Sequence, residues 1–340
     1  MTKGQSQMNV RLSLDEARGL AQCCLRNAGA IEPMAIATAD ALVAAQADGQ
    51  VGHGLARLTS YCAQLQSGKA NGSAQPITNE ISGSTITIDA GYGLSYPALN
   101  IAIEALAERA PKFGIAMASI AHGHHFGQAG YHAERLAERG LIGLVFANSP
   151  KAIAFWGSTE AALGTNPIAF AAPVPSGPPL VIDMALSIGA RAKIVRAQNE
   201  GTSIPPGWAM DSAGNDTTDP SAALAGSLLP MGNAKGAALA IMIEILAAAL
   251  TGSHFGFEAD SFFTAEGEPP DIGHALIAID PARISGGTFD ERMLTLLGAI
   301  NNAEGARQPG ISRLKHRDSS HKDGIILTQD LYDALNKLAS

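Results

Sequence analysis

The sequence predicts an α/β fold, a mixed sheet core clasped by helices from both ends of the chain. Three observations carry that expectation. Strand-patterned and helix-patterned segments alternate through the middle of the chain, the signature of helices layered on a sheet. Helical periodicity fills the first part of the chain and returns at its end. Aromatics make up 5% of the 340 residues, while 37 are glycine and alanine is abundant. That balance favours close helix-on-sheet packing over an aromatic-rich β-sandwich. A chain of this length exceeds what one hydrophobic core usually organises, so two or three sub-domains are expected.

Each element follows from local chemistry. Ser13-Leu14-Asp15-Glu16 is a capping box, in which the serine accepts from the third amide and the glutamate answers back. The helix it opens runs to about Asn27 and is ended by Gly29. A second helix starts at Pro33, and in "GHGLARLTSYCAQLQSG" the residues Leu55, Leu58, Tyr61, Cys62 and Leu65 recur at helical spacing. The first seventy or so residues therefore read as helical. "EISGSTITIDA" then alternates as a strand, and "GYGLSYPALNIAIEALAERA" is a glycine turn feeding a long helix. "GIAMASIA" is the next strand, ending at three histidines. "YHAERLAERG" is a helix and "LIGLVFANS" a strand; "NPIAFAAPV" and "PLVIDMAL" are two more buried strands, with a helix beginning near Ser187. After a polar stretch over 201–220, the apolar run Ala237–Leu250 reads as a buried helix, "HALIAID" as a strand, and the end as helix again.

Composition excludes some functions. The net charge is −8, from 31 acidic and 23 basic residues with no basic run, which argues against nucleic acid or an anionic membrane as partner. Cys23 and Cys24 are adjacent and Cys62 is alone; with no CxxC, neither a disulfide framework nor a zinc knuckle is expected. The N-terminal stretch lacks the apolar core of a signal peptide, and the run Ala237–Leu250, with Glu244 inside it, is too short to span a bilayer. A reducing cytoplasm fits best.

Several residues carry candidate chemistry. In "IAHGHHFGQAG", His122, His124 and His125 leave a strand on successive sides with no carboxylate nearby, so a metal nest is not expected. His122 and His124 read equally well as solvated loop histidines. His125 sits at the carboxyl end of a strand before Phe-Gly, where α/β sheets place their ligands, and an imidazole there can give and take a proton. His53 and Arg57 stand at i and i+4. Taken alone they read as a surface pair, the alternative being a grip for a small carboxylate. "GYGLSYPA" mimics the dinucleotide fingerprint but has Tyr96 in place of the third glycine, so a turn needing positive φ is the better reading. "ALGTNPIAF" is a structural turn or a backbone cradle for phosphate or ribose. Asp183, in an apolar strand, needs a partner. Lys235 starts the apolar helix against its dipole, which points to an anion. Glu244 is buried by pattern and pairs structurally.

In this order, the pieces resemble one family: the malate/L-lactate dehydrogenase-like NAD(P)-dependent oxidoreductases of the non-Rossmann type. The resemblance rests on "ALVAAQADGQVGHGLARLTSY", "HHFGQAGYHAERLAERGLIGLVFANS", "GTNPIAFAAP", "VIDMA", "SIPPGWAMD", "KGAALAIMIEILAAALTG", "GHALIAIDP" and "QPGISRLKHR", nearly the whole chain. It implies a helical unit over residues 1–75, packing with helices of 285–340, and an α/β cofactor-binding and catalytic unit over 76–284. By position it implies that His125, in the "HFG" motif, is the proton donor, and that His53 and Arg57 hold the substrate carboxylate. The family's serine before that histidine is replaced by Gly52. For the cofactor, NADPH or NADH, it points to Ser149, Gly164, Thr165, Asn166, Asp183, Met184, Ala185, Lys235 and Gly236, with no metal. It also implies a homodimer.

The implied reaction moves a hydride between nicotinamide and C2 of a small 2-oxo or 2-hydroxy acid of the malate, lactate or sulfolactate kind. The alternative is reduction of a cyclic imine, Δ1-pyrroline- or Δ1-piperideine-2-carboxylate. "EILAAALTGSHFGFEADSFF" resembles the sulfolactate and piperideine-carboxylate members more than the malate ones. A second charged group on the substrate would want a further cation, and Arg191, Lys193 and Arg196 are available without being assigned. A remote third reading, a non-catalytic metal-binding protein, rests on the histidine cluster alone.

Overall fold

A computed structural model describes residues 9–340. In chain order its first half comprises β1 (Asn9–Leu12), α1 (Leu14–Asn27), α2 (Glu32–Ala47), α3 (Leu58–Ser67), β2 (Ile77–Ser82), β3 (Thr85–Asp89), α4 (Tyr96–Phe113), β4 (Ile115–Gly123), α5 (Ala129–Ala137) and β5 (Ile142–Ala147). Then come β6 (Ile153–Ala154), β7 (Ala161–Leu163), β8 (Ile168–Val174), β9 (Gly177–Met184), α6 (Arg191–Glu200), β10 (Ala209–Met210), β11 (Asp216–Thr217), α7 (Pro220–Ala225) and β12 (Ser227–Leu228). The rest is α8 (Ala234–Ile243), β13 (Ile272–Ile279), α9 (Pro281–Ile284), α10 (Phe289–Asn302), α11 (Ile311–Asp323), β14 (Ile325–Thr328) and α12 (Gln329–Ala339).

The capping box forms as read. Ser13 Oγ accepts the Glu16 amide at 3.2 Å, and the Glu16 carboxylate accepts the Ser13 amide at 2.8 Å. The helix ends at Asn27, and Gly29 turns the chain with φ +104°. The first seventy residues are not all helical. Strand β1 precedes the box and pairs antiparallel with β14, and Val51–His53 and Leu55–Arg57 are two single 3₁₀ turns. The cause lies at Gly54, which packs so close to Gln46 that a Cβ would stand 2.3 Å from Gln46 Oε1; that oxygen accepts the Leu55 amide instead of a helical carbonyl. Leu25, Met34, Leu42, Leu58 and Tyr61 bury against Leu327 and Leu335, so the N-terminal helices share one core with β14 and α12.

The main sheet has seven strands in the order β2-β3-β4-β13-β5-β8-β9, and only the β3–β4 pair is parallel. The expected single strand "EISGSTITIDA" is a hairpin, because Gly83 permits a turn between β2 and β3. Helices α4 and α5 cover one face through Leu99, Ile103, Leu106 and Leu136. Helix α8 and the π-helical segment that continues it cover the other, with Ile243 and Ala247 against Phe146 and Ala275, beside a small sheet ordered β11-β10-β12-β6-β7. Met293 of α10 packs on Leu180 and Ala172. The helix expected near Ser187 starts at Arg191, since Ser187 bridges to Pro230 instead.

The run Ala237–Leu250 is not a buried helix throughout. Helix α8 loosens into a π-helical segment over Glu244–Ala249, and Leu239, Ile241, Met242, Ile245 and Leu250 are exposed, Ile245 by 55%. A helix that is apolar on all sides wants cover on all sides, and among the described residues only one side has it.

Behind the sheet's edge, Arg313 and Arg317 of α11 meet Asp48 and Glu134 in a buried network, with contacts of 2.6 Å from Arg313 to Glu134 and 2.7 Å from Arg317 to Asp48. No helix among the described residues is long and apolar enough to cross a membrane. All three cysteines are free.

Candidate active site

A cavity of about 970 Å³ opens where the 3₁₀ turns after α2, the β4–α5 turn, the ends of β5 and β9, the start of α6 and a loop around residue 261 converge. His125 projects into it from the end of β4. Its Nδ1 is bonded to the Tyr61 hydroxyl, which is 2.9 Å from the Tyr96 hydroxyl, and the Gly127 amide donates to the same nitrogen at 3.3 Å. The His53 ring lies parallel to that of His125, centroids 5.4 Å apart and planes within 8°. Arg57 is 7% exposed, and its guanidinium sits over Phe263 at 4.8 Å and near the Tyr61 ring at 5.5 Å. Among the described residues its Nε and Nη2 have no hydrogen-bond partner, nor has Nδ1 of His53.

The electrostatics follow from that geometry. Burial first, then the Arg57 charge and the neighbouring His53, hold the His125 imidazole well below its usual range. Burial and Arg57 likewise lower His53 to about 4. Both rings are neutral near pH 7, beside an unpaired buried cation. Such a cation is costly unless a ligand completes it. His53 and Arg57 are therefore not a surface pair.

The three clustered histidines part company. His122 takes φ +50°, pairs with Asp89 at 2.9 Å and lies against Tyr92. His124 is 1% exposed, which corrects the reading of it as a solvated loop residue. Its backbone is pinned by Ser95 Oγ, which accepts from the His124 amide and donates to its carbonyl, both at 2.7 Å, and which is also 2.8 Å from Nε2 of the buried His274. Among the described residues no three His, Cys, Asp or Glu side chains come close enough to hold a metal. The turn "GYGLSYPA" takes positive φ at Gly91 and Tyr92, as a tight turn requires.

Of the residues assigned to the cofactor, Ser149, Thr165, Asp183 and Ala185 line the cavity. Ser149 Oγ accepts the Thr165 amide at 3.0 Å, and Asp183 accepts the Gly130 amide at 2.8 Å near the start of α5. Gly164 and Asn166 lie behind that wall. Asn166, with φ +40°, donates to the Ala240 carbonyl and to Glu244, each at 2.9 Å. The buried Glu244 also accepts from Gly164, Gly256 and Asn148, so it is a structural hub joining the turn to α8. Met184 is exposed beside Asp183. Lys235 and Gly236 start α8 off the cavity wall, Gly236 against the Met231 carbonyl.

Sequence reasoning passed over several cavity residues. Tyr61, fully buried behind the cavity wall, shows in the sequence only as part of a helix face, and the cavity residues Phe262 and Phe263 sit in a loop without periodicity. Arg191 is the first residue of α6 and lines the cavity with no ion pair or hydrogen bond among the described residues, its pKa lowered by burial. Its signal was legible: a cation at a helix N-terminus opposes the dipole, as was argued for Lys235. Gly52 faces Ala192, whose Cβ would stand 3.3 Å from a Cβ added there.

Comparison with known proteins gives the chain clear relatives. The family model described as malate/L-lactate dehydrogenase matches residues 12–336. The chain is 47% identical over 306 residues to the (2R)-3-sulfolactate dehydrogenase (NADP(+)) of Chromohalobacter salexigens, covering 90% of this chain and 91% of that one. It is 36% identical over 330 residues to the Delta(1)-pyrroline-2-carboxylate/Delta(1)-piperideine-2-carboxylate reductase of Pseudomonas putida, with 97% of each covered. The crystal structure of delta1-piperideine-2-carboxylate reductase from Pseudomonas syringae pv. tomato superposes with a TM-score of 0.92 at 34% identity, over 97% of this chain and 99% of that one.

Proposed function

The chain belongs to the malate/L-lactate dehydrogenase family, and from that premise we propose that it is an NADPH-dependent oxidoreductase interconverting a small 2-oxo acid and its 2-hydroxy acid. The observation that carries the reading is the buried, unpaired guanidinium of Arg57 beside two neutral imidazoles in one cavity. The cavity is roomy enough for a dinucleotide and a small acid, and the unpaired Arg191 at a helix start fits an anionic ligand. When bound, NADPH supplies the hydride for C2. Ser149, Thr165, Asp183 and Ala185 would hold it, with Gly164 and Asn166 shaping the turn beneath; Met184, Lys235 and Gly236 complete the set on motif resemblance.

Arg57 takes the substrate carboxylate on its free Nε and Nη2, a fork suited to two parallel hydrogen bonds. His53 lies within the same grip. Cancelling the Arg57 charge removes the largest influence after burial that keeps His125 neutral, so acid binding favours a protonated ring. Nδ1 of that ring then gives up the Gly127 amide and donates to the Tyr61 oxygen, which can pass its own hydrogen toward Tyr96, and Nε2 delivers its proton to the oxygen at C2. In the reverse direction the same nitrogen accepts it.

A second reading, cyclic imine reduction, is favoured by the Pseudomonas relatives, because a carboxylate clamp and a proton donor suffice for it. The 47% identity to a sulfolactate dehydrogenase, against 36% to that imine reductase, places the oxo acid first. Initial rates with NADPH on sulfopyruvate, oxaloacetate, pyruvate and Δ1-piperideine-2-carboxylate test the choice; activity on the imine alone would reverse it. We place the enzyme in the cytoplasm, in keeping with its three free thiols, and read it as a homodimer. The uncovered apolar side of α8 supplies the surface that a second copy would bury.

A further inference from the structure

His124 has no part in the chemistry above, yet it is the cavity-lining side chain whose two ring nitrogens both lack a hydrogen-bond partner among the described residues. It is 1% exposed, so the nitrogens do not face open solvent. A buried donor and acceptor left bare weigh against folding, and native structures satisfy nearly all of them. Here the protein offers nothing. The ring stands edge-on to Tyr61, centroids 5.9 Å apart, and 5.5 Å from Phe262, and Ser95 fixes its backbone from both sides.

The position is informative. Phe262 also packs against His125, at 5.1 Å, so the two histidines share one wall. Arg57, His124 and His125 line the same cavity, so a small acid held by Arg57 beside His125 lies next to the wall that carries His124. The surroundings are electropositive. Arg57 and the buried Lys69 both bear on the ring. Lys69 donates to the Glu266 carbonyl at 2.8 Å and lies 3.9 Å from Asp260, a carboxylate with 45% of its side chain exposed. A neutral imidazole in a positive field offers an N–H to an anionic oxygen and is a poor host for a cation or an apolar ring.

We propose that His124 is a specificity-determining residue: its ring donates a hydrogen bond to an anionic oxygen on the substrate's C3 substituent, so the site selects 2-oxo acids bearing a second acid group. The proposal rests on the oxo acid reading of the same cavity and adds to it the residue that reads the distal group. A site built to hydrogen-bond a substrate group discriminates strongly against analogues that lack it.

The test compares wild type, His124→Phe and His124→Asn for NADPH-dependent reduction of sulfopyruvate and pyruvate. In His124→Phe the ratio of kcat/KM for sulfopyruvate over pyruvate should fall about 10- to 100-fold, the worth of one hydrogen bond to a charged group, chiefly through KM. His124→Asn, which keeps an N–H donor, should recover part of it. An unchanged ratio, or equal losses on both substrates, overturns the proposal. Should His124→Phe fail to fold, His124→Ala replaces it, since truncation adds no volume. Calorimetry of the NADPH-loaded enzyme with 3-sulfopropionate and with propionate separates this proposal from the activity itself. If no oxo acid is reduced, the functional reading fails alone. His124 then stands on a wild-type preference for 3-sulfopropionate that His124→Phe abolishes, and the absence of that preference overturns it.

Discussion

Replacing Arg57 by alanine probes the site where its energetics are most exposed. The guanidinium is 7% exposed and leaves Nε and Nη2 free, so an incoming carboxylate completes a two-bonded pair away from bulk water. Each charge-assisted bond contributes about 1.5–3 kcal/mol net. Two that share one rigid fork contribute about 3–5 kcal/mol, which at 1.4 kcal/mol per decade is roughly 10²- to 10⁴-fold in kcat/KM. The loss should fall mainly on KM, because the carboxylate is held in the ground state and the transition state alike. Arg57→Lys keeps the charge without the fork and should retain part of the effect. A second signature accompanies the first. After burial, Arg57 is the leading cause of the depressed His125 pKa, so removing it raises that pKa. Reduction needs the protonated ring, and kcat/KM reports the free enzyme. In wild type kcat/KM for reduction should therefore fall steadily as pH rises through the neutral range. In Arg57→Ala the falling limb should move to higher pH. Steady-state kinetics across pH read both effects. A normal KM in Arg57→Ala, or a limb that stays in place, would refute the carboxylate grip and its coupling to His125.

Three further outcomes are expected. His125→Asn should lower kcat by about 10²- to 10⁴-fold with little change in NADPH affinity by fluorescence titration; full turnover, or the same loss at His53→Asn alone, would move the proton transfer to His53. Arg313→Ala leaves Asp48 and Glu134 short of a buried cation and should cost about 3–5 kcal/mol in denaturant unfolding, with a loss under about 1 kcal/mol counting against the network. Burial alone would raise the Glu134 pKa, but hydrogen bonds from Arg313 and Arg317 hold it below the ordinary carboxylate range. Its contribution is therefore present above the unfolded pKa and lost as pH falls through the lowered folded one, and Arg313→Ala should blunt that acid sensitivity. Ile245→Glu puts a charge on the open side of α8 and should halve the mass seen by analytical ultracentrifugation; an unchanged mass would remove that face from the interface.

Much of the architecture was legible in the sequence because its determinants are local. The Ser13 capping box needs four residues, and the strands at β4, β5, β8, β9 and β13 announce themselves as short apolar runs. What escaped depends on partners far along the chain. Strand β1 exists because β14 lies opposite it, and the near-complete antiparallel pairing follows from β13 entering between β4 and β5. The burial of His124 is set by Tyr61, Ser95 and Phe262, which no spacing rule connects to it. The open side of α8 has the same composition as its packed side, so pattern alone could not tell them apart. In the site, Arg57 and His125 line one cavity, while Arg191 was visible only as a loose cation until the start of α6 turned it into that cavity.

The ribbon of β1 with β14 has a bearing on biosynthesis. Helices α1–α3 leave the ribosome well before residues 325–339, which complete their apolar faces. Until then that layer stays greasy and unsealed, a natural client for a chaperone, and a premature stop a few codons upstream of Ile325 would strand it. Nascent-chain protease protection should accordingly switch on late and in one step.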